Sequence, residues 1–211
     1  MKVIAFNGSS HKNGNTYQAI RIVLDELEKQ GIETEIVNLG NRAIRGCTGC
    51  NQCAKNKNER CVLPEDGVNE CIQKIKEADG VILASPTYYS AISGTMKSFL
   101  DRFFYVAGFN GGMLRHKVGA SVVAVRRAGG IPVFNQLNNY INYSEMLMPS
   151  SNYWNVISGT VPGDALKDEE GMQIMRVLGK NMAWLMQLVE NGKENVSEPE
   201  SENKIFTNFI R

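Results

Sequence analysis

The chain opens on a short unbroken apolar run, Lys2 to Phe6, and from Ile20 the apolar positions change spacing to Ile20, Val23, Leu24 and Leu27. The run predicts a strand covered on both faces, and the i, i+3, i+4, i+7 spacing predicts an amphipathic helix ending at Gly31. The same alternation then repeats. Thr34 to Leu39 reads as a strand, and Val68, Cys71, Ile72 and Ile75 as a helix stripe. Gly80 to Ser85 is apolar on both faces, as a central parallel strand requires. Met96, Phe99, Leu100, Phe103 and Phe104 return to helical spacing, followed by a strand over Val118 to Val125 and a helix over Val133 to Ser144. Tyr153 to Ser158 reads as a fifth strand, and Met172, Met175, Leu178, Met182, Leu185 and Val189 mark a last helix.

Strands alternating with helices imply right-handed crossovers and an α/β domain with a doubly wound parallel sheet. Five strands suit the flavodoxin-like order 2-1-3-4-5, in which ligands bind beyond the carboxyl ends of the strands beside the switch point. Three loops therefore carry the expected chemistry: residues 7 to 16, 85 to 95 and 126 to 131. Residues 1 to 190 form the expected domain. The polar stretch 191 to 211 is a tail that closes on Ile205, Phe206, Phe209 and Ile210, too apolar an ending for a free segment.

Composition changes this picture little but closes several alternatives. Lys and Arg number 23 against 22 Asp and Glu, without a basic run, so neither nucleic acid nor a membrane surface is an expected partner. No apolar stretch approaches the ~20 residues of a membrane span or the pattern of a secretory signal. A cytoplasmic protein is expected.

The first loop, Asn7-Gly8-Ser9-Ser10-His11-Lys12-Asn13-Gly14-Asn15-Thr16, joins a strand to a helix. Its glycines let backbone N–H groups turn inward, its hydroxyl and amide side chains can donate, and the helix N-terminus adds positive potential. That combination suits a phosphate monoester. It is neither a Walker A loop nor G-x-G-x-x-G. The competing reading is that Ser and Asn simply cap a helix and fill a turn. The second loop, Ser85 to Thr95, presents Tyr88 and Tyr89, which can pack beside a planar ring or merely against neighbouring helices.

Four of five cysteines crowd into Cys47-x-x-Cys50-x-x-Cys53 and Cys61. Two-residue gaps let successive thiolates end on different irons of an iron–sulfur cluster. An all-cysteine zinc site and four free thiols are the alternatives. Cys71 shares the apolar stripe of Val68, Ile72 and Ile75 and reads as core.

These motifs together resemble the NADPH-dependent FMN reductase and flavodoxin-like superfamily, in particular its iron–sulfur flavoprotein and multimeric-flavodoxin branch. The resemblance rests on Gly8-Ser9-Ser10 with Gly14-Asn15-Thr16, Ser85-Pro86-Thr87-Tyr88, Ser93-Gly94-Thr95-Met96-Lys97 with Leu100-Asp101-Arg102, the cysteine cluster, and Tyr153-Trp154 with Gly159, Pro162-Gly163 and Asp168 to Gly171. It implies that Ser9, His11, Asn15 and Thr16 hold the phosphate of FMN, with His11 where the family often has Arg or Lys. Pro86, Thr87, Tyr88 and Tyr89 would line the ring, as would Arg126, Gly129 and Gly130. Cys47, Cys50, Cys53 and Cys61 would hold a [4Fe–4S] cluster, although relatives with FMN alone also carry cysteines here. The implied activity passes electrons from NAD(P)H, or a ferredoxin-like donor, through FMN to a quinone, flavin or other acceptor. The implied assembly is a homodimer or homotetramer. An electron carrier without a small-molecule substrate and a non-redox binder of a phosphorylated ligand are the other readings.

Overall fold

A computed structural model describes residues 1–63, 65–207 and 209. The order of elements is β1 (Lys2–Asn7), α1 (Asn15–Glu28), β2 (Glu33–Asn38), α2 (Gln52–Asn56), α3 (Val68–Glu77), β3 (Gly80–Pro86), α4 (Gly94–Phe109), β4 (Val118–Val125), α5 (Gly130–Tyr143), β5 (Val156–Ser158) and α6 (Glu169–Gly192), with one short 3₁₀ turn at Asp164–Lys167. All strand pairings are parallel, and the sheet order is β2-β1-β3-β4-β5. The flavodoxin-like α/β fold expected from the sequence is therefore the fold found.

Strand alternation divides the core into two layers. Ile4, Phe6, Val81, Leu83 and Val123 point to one face of the sheet, under α3, α4 and α5. Val3, Ala5, Ile82, Ala84, Ala120 and Val122 point to the other, under α1 and α6. Successive side chains leave a strand on opposite sides, so apolar residues at every position require helices on both. The two helices of that second face pack closely: a Cβ on Gly179 of α6 would lie 2.6 Å from the Val23 carbonyl oxygen of α1.

The fifth strand is shorter than expected. Tyr153 and Trp154 lie outside it, exposed and packed edge to face with centroids 4.5 Å apart. Asn155 is the cause: its Nδ2 donates to the Ser121 carbonyl at 3.0 Å, and its own carbonyl accepts from Val123 N–H. That side-chain bond displaces the ladder, so regular pairing starts only at Val156. Two other boundaries move. Helix α5 takes in Gly130 and Ile131, and the five-residue α2 lies inside the cysteine segment, where no periodicity announced it.

Candidate functional site

The first loop is built by side chains that tie it to both neighbouring strands. Buried Asn7 accepts from Ser9 N–H at 3.0 Å and donates through Nδ2 to Asn38 Oδ1 of β2 at 2.9 Å. Gly8 N–H donates to the Ala84 carbonyl at 2.8 Å, and Ser93 Oγ donates to the Gly8 carbonyl at 2.7 Å. Ser9 Oγ accepts from His11 N–H, and the His11 carbonyl accepts from Gly14 N–H. From the β2 side, Asn41 Nδ2 donates to the Ser10 carbonyl at 2.7 Å. Gly40 lies so close that a Cβ there would sit 2.1 Å from the Ser9 carbonyl group.

This turn delivers the chain to α1 with its end open. Gly14 stands at the cap position, no side chain caps the helix, and its first turn carries no acidic residue. Free N–H groups and the helix dipole leave that end positive, which favours an anion beside the buried Ser9 and Thr16.

The second loop makes a tight reverse turn. Thr87 donates through both N–H and Oγ1 to the Ala124 carbonyl, and Tyr88 and Ala91 exchange backbone bonds of 3.0 and 2.9 Å. Tyr89 and Ser90 at its tip both have positive φ, 50° and 59°, a conformation costing about 1–2 kcal/mol for each non-glycine residue. Such cost is tolerated where surrounding contacts hold the backbone, often at ligand clamps. It leaves Tyr89 in solvent, while Tyr88 Oη shares a 3.4 Å hydrogen bond with Ser10 Oγ of the first loop. Gly129, with φ 86°, closes in from the third loop; a Cβ on it would meet Ser90 Oγ at 2.5 Å. Arg126 and Arg127 are exposed on that loop.

A fourth segment, after β5, completes the rim. Asn15 Oδ1 accepts from Gly163 N–H at 3.2 Å and Ala165 N–H at 3.1 Å. The amide oxygen of Asn15 thus holds this segment in place, and its Nδ2 is the atom left to donate elsewhere.

The cysteines form a second site, beside the middle of α4. Cys47, Cys50, Cys53 and Cys61 line one cavity with Arg102, Tyr105 and Val106. The segment is fastened at several points: Tyr105 Oη donates to Asn51 Oδ1 at 2.5 Å, Cys61 N–H to Asn69 Oδ1 at 2.7 Å, and Asn110 Nδ2 to the Cys53 carbonyl at 3.4 Å. Asn51, Lys57 and Glu59 have positive φ, so the backbone is held in an unfavourable course around Cys53. Cys47 and Cys50 are exposed and Cys53 is buried. Backbone N–H of Gln52 holds the Cys50 thiol below its ordinary pKa, whereas burial raises that of Cys53. Among the described residues, no three His, Cys, Asp or Glu side chains converge as ligands of a single ion. Cys71 lies elsewhere, buried in the core.

Residues 1–160 match the NADPH-dependent FMN reductase family. An iron–sulfur flavoprotein of Methanocaldococcus jannaschii is 35% identical over 198 residues, spanning 90% of this chain and all of that protein. The chain belongs to the NADPH-dependent FMN reductase family. An iron–sulfur flavoprotein of Archaeoglobus fulgidus is 29% identical over 208 residues, covering 92% of this chain and all of its own length. Among solved structures, RosB with a bound intermediate, 8-demethyl-8-formylriboflavin-5′-phosphate, superimposes with a TM-score of 0.74 at 18% identity, covering all of this chain and 94% of RosB. At that identity the likeness speaks for the fold.

Within this FMN reductase fold, Ser9, His11, Asn15 and Thr16 gather at the start of α1, Pro86 to Tyr89 run from the last residue of β3 into the second loop, and Arg126 to Gly130 run along the third loop to the first residue of α5. His11 is exposed, with only its backbone engaged in the turn. Sequence reasoning missed Gly40, and it left Ser93 and the stretch with Gly159 and Pro162-Gly163 as parts of the resemblance without a role; in the structure the Ser93 hydroxyl clamps the first loop and Asn15 holds the segment 159–165. Gly40 stood in the sequence as a glycine at a loop start, a signal too common to interpret without knowing what it approaches.

Proposed function

We propose that this chain binds FMN at the carboxyl edge of the sheet and serves as an NAD(P)H-dependent oxidoreductase. The observation that carries the reading is the uncapped, acid-free start of α1, facing Ser9 and Thr16 at the rim where four loops are tied together. FMN, when bound, supplies hydride acceptance from a nicotinamide and onward transfer of electrons to a quinone, flavin or other acceptor. The phosphate is assigned to Ser9, His11, Thr16 and the free Nδ2 of Asn15. Pro86, Thr87, Tyr88 and Tyr89 flank the ring from one loop, and Arg126, Gly129 and Gly130 from the next. The backbone around Gly129 approaches closely because no Cβ stands there, and Arg126 or Arg127 supplies positive charge where the reduced ring gathers negative charge.

The four cysteines are assigned to a [4Fe–4S] cluster. Four thiols lining one cavity supply the ligand set of a polynuclear cluster, in which each thiolate ends on its own iron. Exposure of Cys47 and Cys50 also favours a second mode of use, in which a ferredoxin-like protein delivers electrons at the cluster.

The test is the visible spectrum of anaerobically purified protein, with iron and sulfide assays and addition of NADH or NADPH. Flavin bands that bleach with the nicotinamide, plus broad cluster absorbance, are expected. A protein that stays colourless after incubation with FMN would overturn the flavin reading. Flavin without iron or sulfide would overturn the cluster assignment alone. If the cluster is present, Cys47→Ser, Cys50→Ser, Cys53→Ser and Cys61→Ser each lose iron while FMN stays bound, whereas Cys71→Ser keeps its iron. Equal iron loss at Cys71 would count against this ligand set.

A further inference from the structure

Arg102 is the largest fully buried side chain on α4, 1% exposed, and it reaches across to the cysteine segment. Its three nitrogens are differently employed. Nη1 pairs with Asp66 and donates to the Arg45 carbonyl at 3.2 Å. Nε donates to Cys61 Sγ at 3.4 Å. Nη2 is buried without a hydrogen-bond partner among the described residues.

The planar guanidinium fixes where that unused group points. Nε–H and one Nη2–H leave the same edge of the plane in parallel, as the fork that grips two acceptors side by side. Since Nε–H meets Cys61 Sγ, the adjacent Nη2–H faces the same side, where Arg102 lines the cavity together with all four cysteines. A buried donor left unsatisfied is unfavourable, so its persistence beside sulfur ligands calls for an acceptor. The ion pair with Asp66 accounts for Nη1 and for the placement of the loop, since Asp66 also accepts from Arg45 N–H and Val68 N–H. It does not account for Nε on sulfur or for Nη2.

We infer that Arg102 is the electrostatic tuning residue of the four-cysteine site, its Nε donating to the Cys61 thiolate and its Nη2 to a second sulfur of the bound cluster. This rests on the cluster assignment above. Hydrogen bonds to cluster sulfurs and nearby positive charge favour the reduced state, which carries one more negative charge, and so raise the reduction potential.

The experiment is an EPR-monitored redox titration of the anaerobically purified holoprotein, comparing wild type with Arg102→Gln/Asp66→Asn. The double variant removes both members of the ion pair, so no buried carboxylate is stranded. With iron and sulfide content unchanged, its midpoint should fall by about a tenfold change in the reduction equilibrium, ~59 mV for one electron. A loaded double variant with the wild-type midpoint overturns the inference. Should the variant lose its cluster, wild type labelled with guanidino-¹⁵N arginine decides. A ¹⁵N hyperfine coupling to the reduced cluster supports the inference, and its absence overturns it. Wild type that binds FMN but holds no iron or sulfide would overturn the cluster assignment itself, an outcome distinct from a loaded site that ignores Arg102.

Discussion

Thr16 and Asn15 are neighbours at the start of α1, yet the structure gives them different work. Thr16 is buried beside the open helix end, so Thr16→Ala should weaken FMN binding by roughly 1.5–3 kcal/mol, the value of a hydrogen bond to a charged group, without loosening the fold. Asn15→Ala should weaken binding too, but it also frees Gly163 N–H and Ala165 N–H and should raise hydrogen exchange across 159–165. Fluorescence titration with FMN, read beside exchange at that segment, separates the two. Unchanged affinity in both variants would remove the phosphate from this loop. Cys71 offers a test of the core. Burial pushes its pKa from 9.0 up to about 11. The unfolded chain ionises first, so the stability from this thiol is full below pH 9 and is lost as pH rises toward 11. Denaturant midpoints of wild type should fall more steeply across that window than those of Cys71→Ala; parallel slopes would show that the thiol ionises freely when folded.

Among the elements, α4 is the one that touches both sites. Its cap residue, Ser93, holds the first loop, and Arg102 lies about 14 Å further along the axis at 1.5 Å per residue. The loop after β2 presses on the phosphate segment from the opposite side through Gly40. Gly40→Ala must push apart two backbones rather than the end of a flexible side chain. It should cost ~1–3 kcal/mol in stability, the usual range for overpacking, and reduce FMN content as purified. Gly31→Ala, which meets nothing within 4 Å but has φ +73°, serves as the comparison: it should lose stability without losing flavin. Equal flavin retention in both would mean that the β2 loop has no part in shaping the site.

At the scale of the whole molecule, the late apolar residues divide. Met146 is buried and Leu147 bridges to Val118 at the start of β4, so this part of the apolar load packs on its own subunit. Met148, Tyr153 and Trp154 stay exposed, as do Ile205 at 91%, Phe206 at 75% and Phe209 at 94%. Asn208 and Ile210 lie outside the described residues. The tail touches the body through Lys204, which donates to Tyr143 Oη at 2.8 Å, and through Pro199, whose carbonyl accepts from Arg115. Apolar surface left open in this way suits a symmetric homo-oligomer built on a two-fold contact. Sedimentation should therefore give a dimer or tetramer, and deleting residues 204 to 211 should weaken it. A 23.4 kDa monomer, with or without FMN, would refute the assembly, and an unchanged oligomer after the deletion would remove the tail from the interface. No helix among the described residues is long and apolar enough to cross a membrane.

The sequence by itself determined the layers, because uninterrupted apolar strands such as Val81-Ile82-Leu83 and helix stripes such as Met96, Phe99 and Phe103 call for a sheet covered on both faces. The strand order was expected from the count of five strands and from the family resemblance, since that pattern alone does not order them. The sequence also carried the loops at the carboxyl edge, since strand-to-helix turns rich in Gly, Ser and Asn are local chemistry. Tertiary structure alone decided what depends on approach across the fold. The side chain of Asn155 cut β5 short by bonding to Ser121, and Asn15 committed its oxygen to a segment nearly 150 positions away. Arg102 stands in the sequence as the end of the Leu100-Asp101-Arg102 motif, with no sign of what it meets. Only the folding of the cysteine segment over α4 sets its guanidinium against Cys61 and leaves one amino group facing the sulfur cavity, because hydrogen-bond partners distant in sequence leave no periodic trace in it.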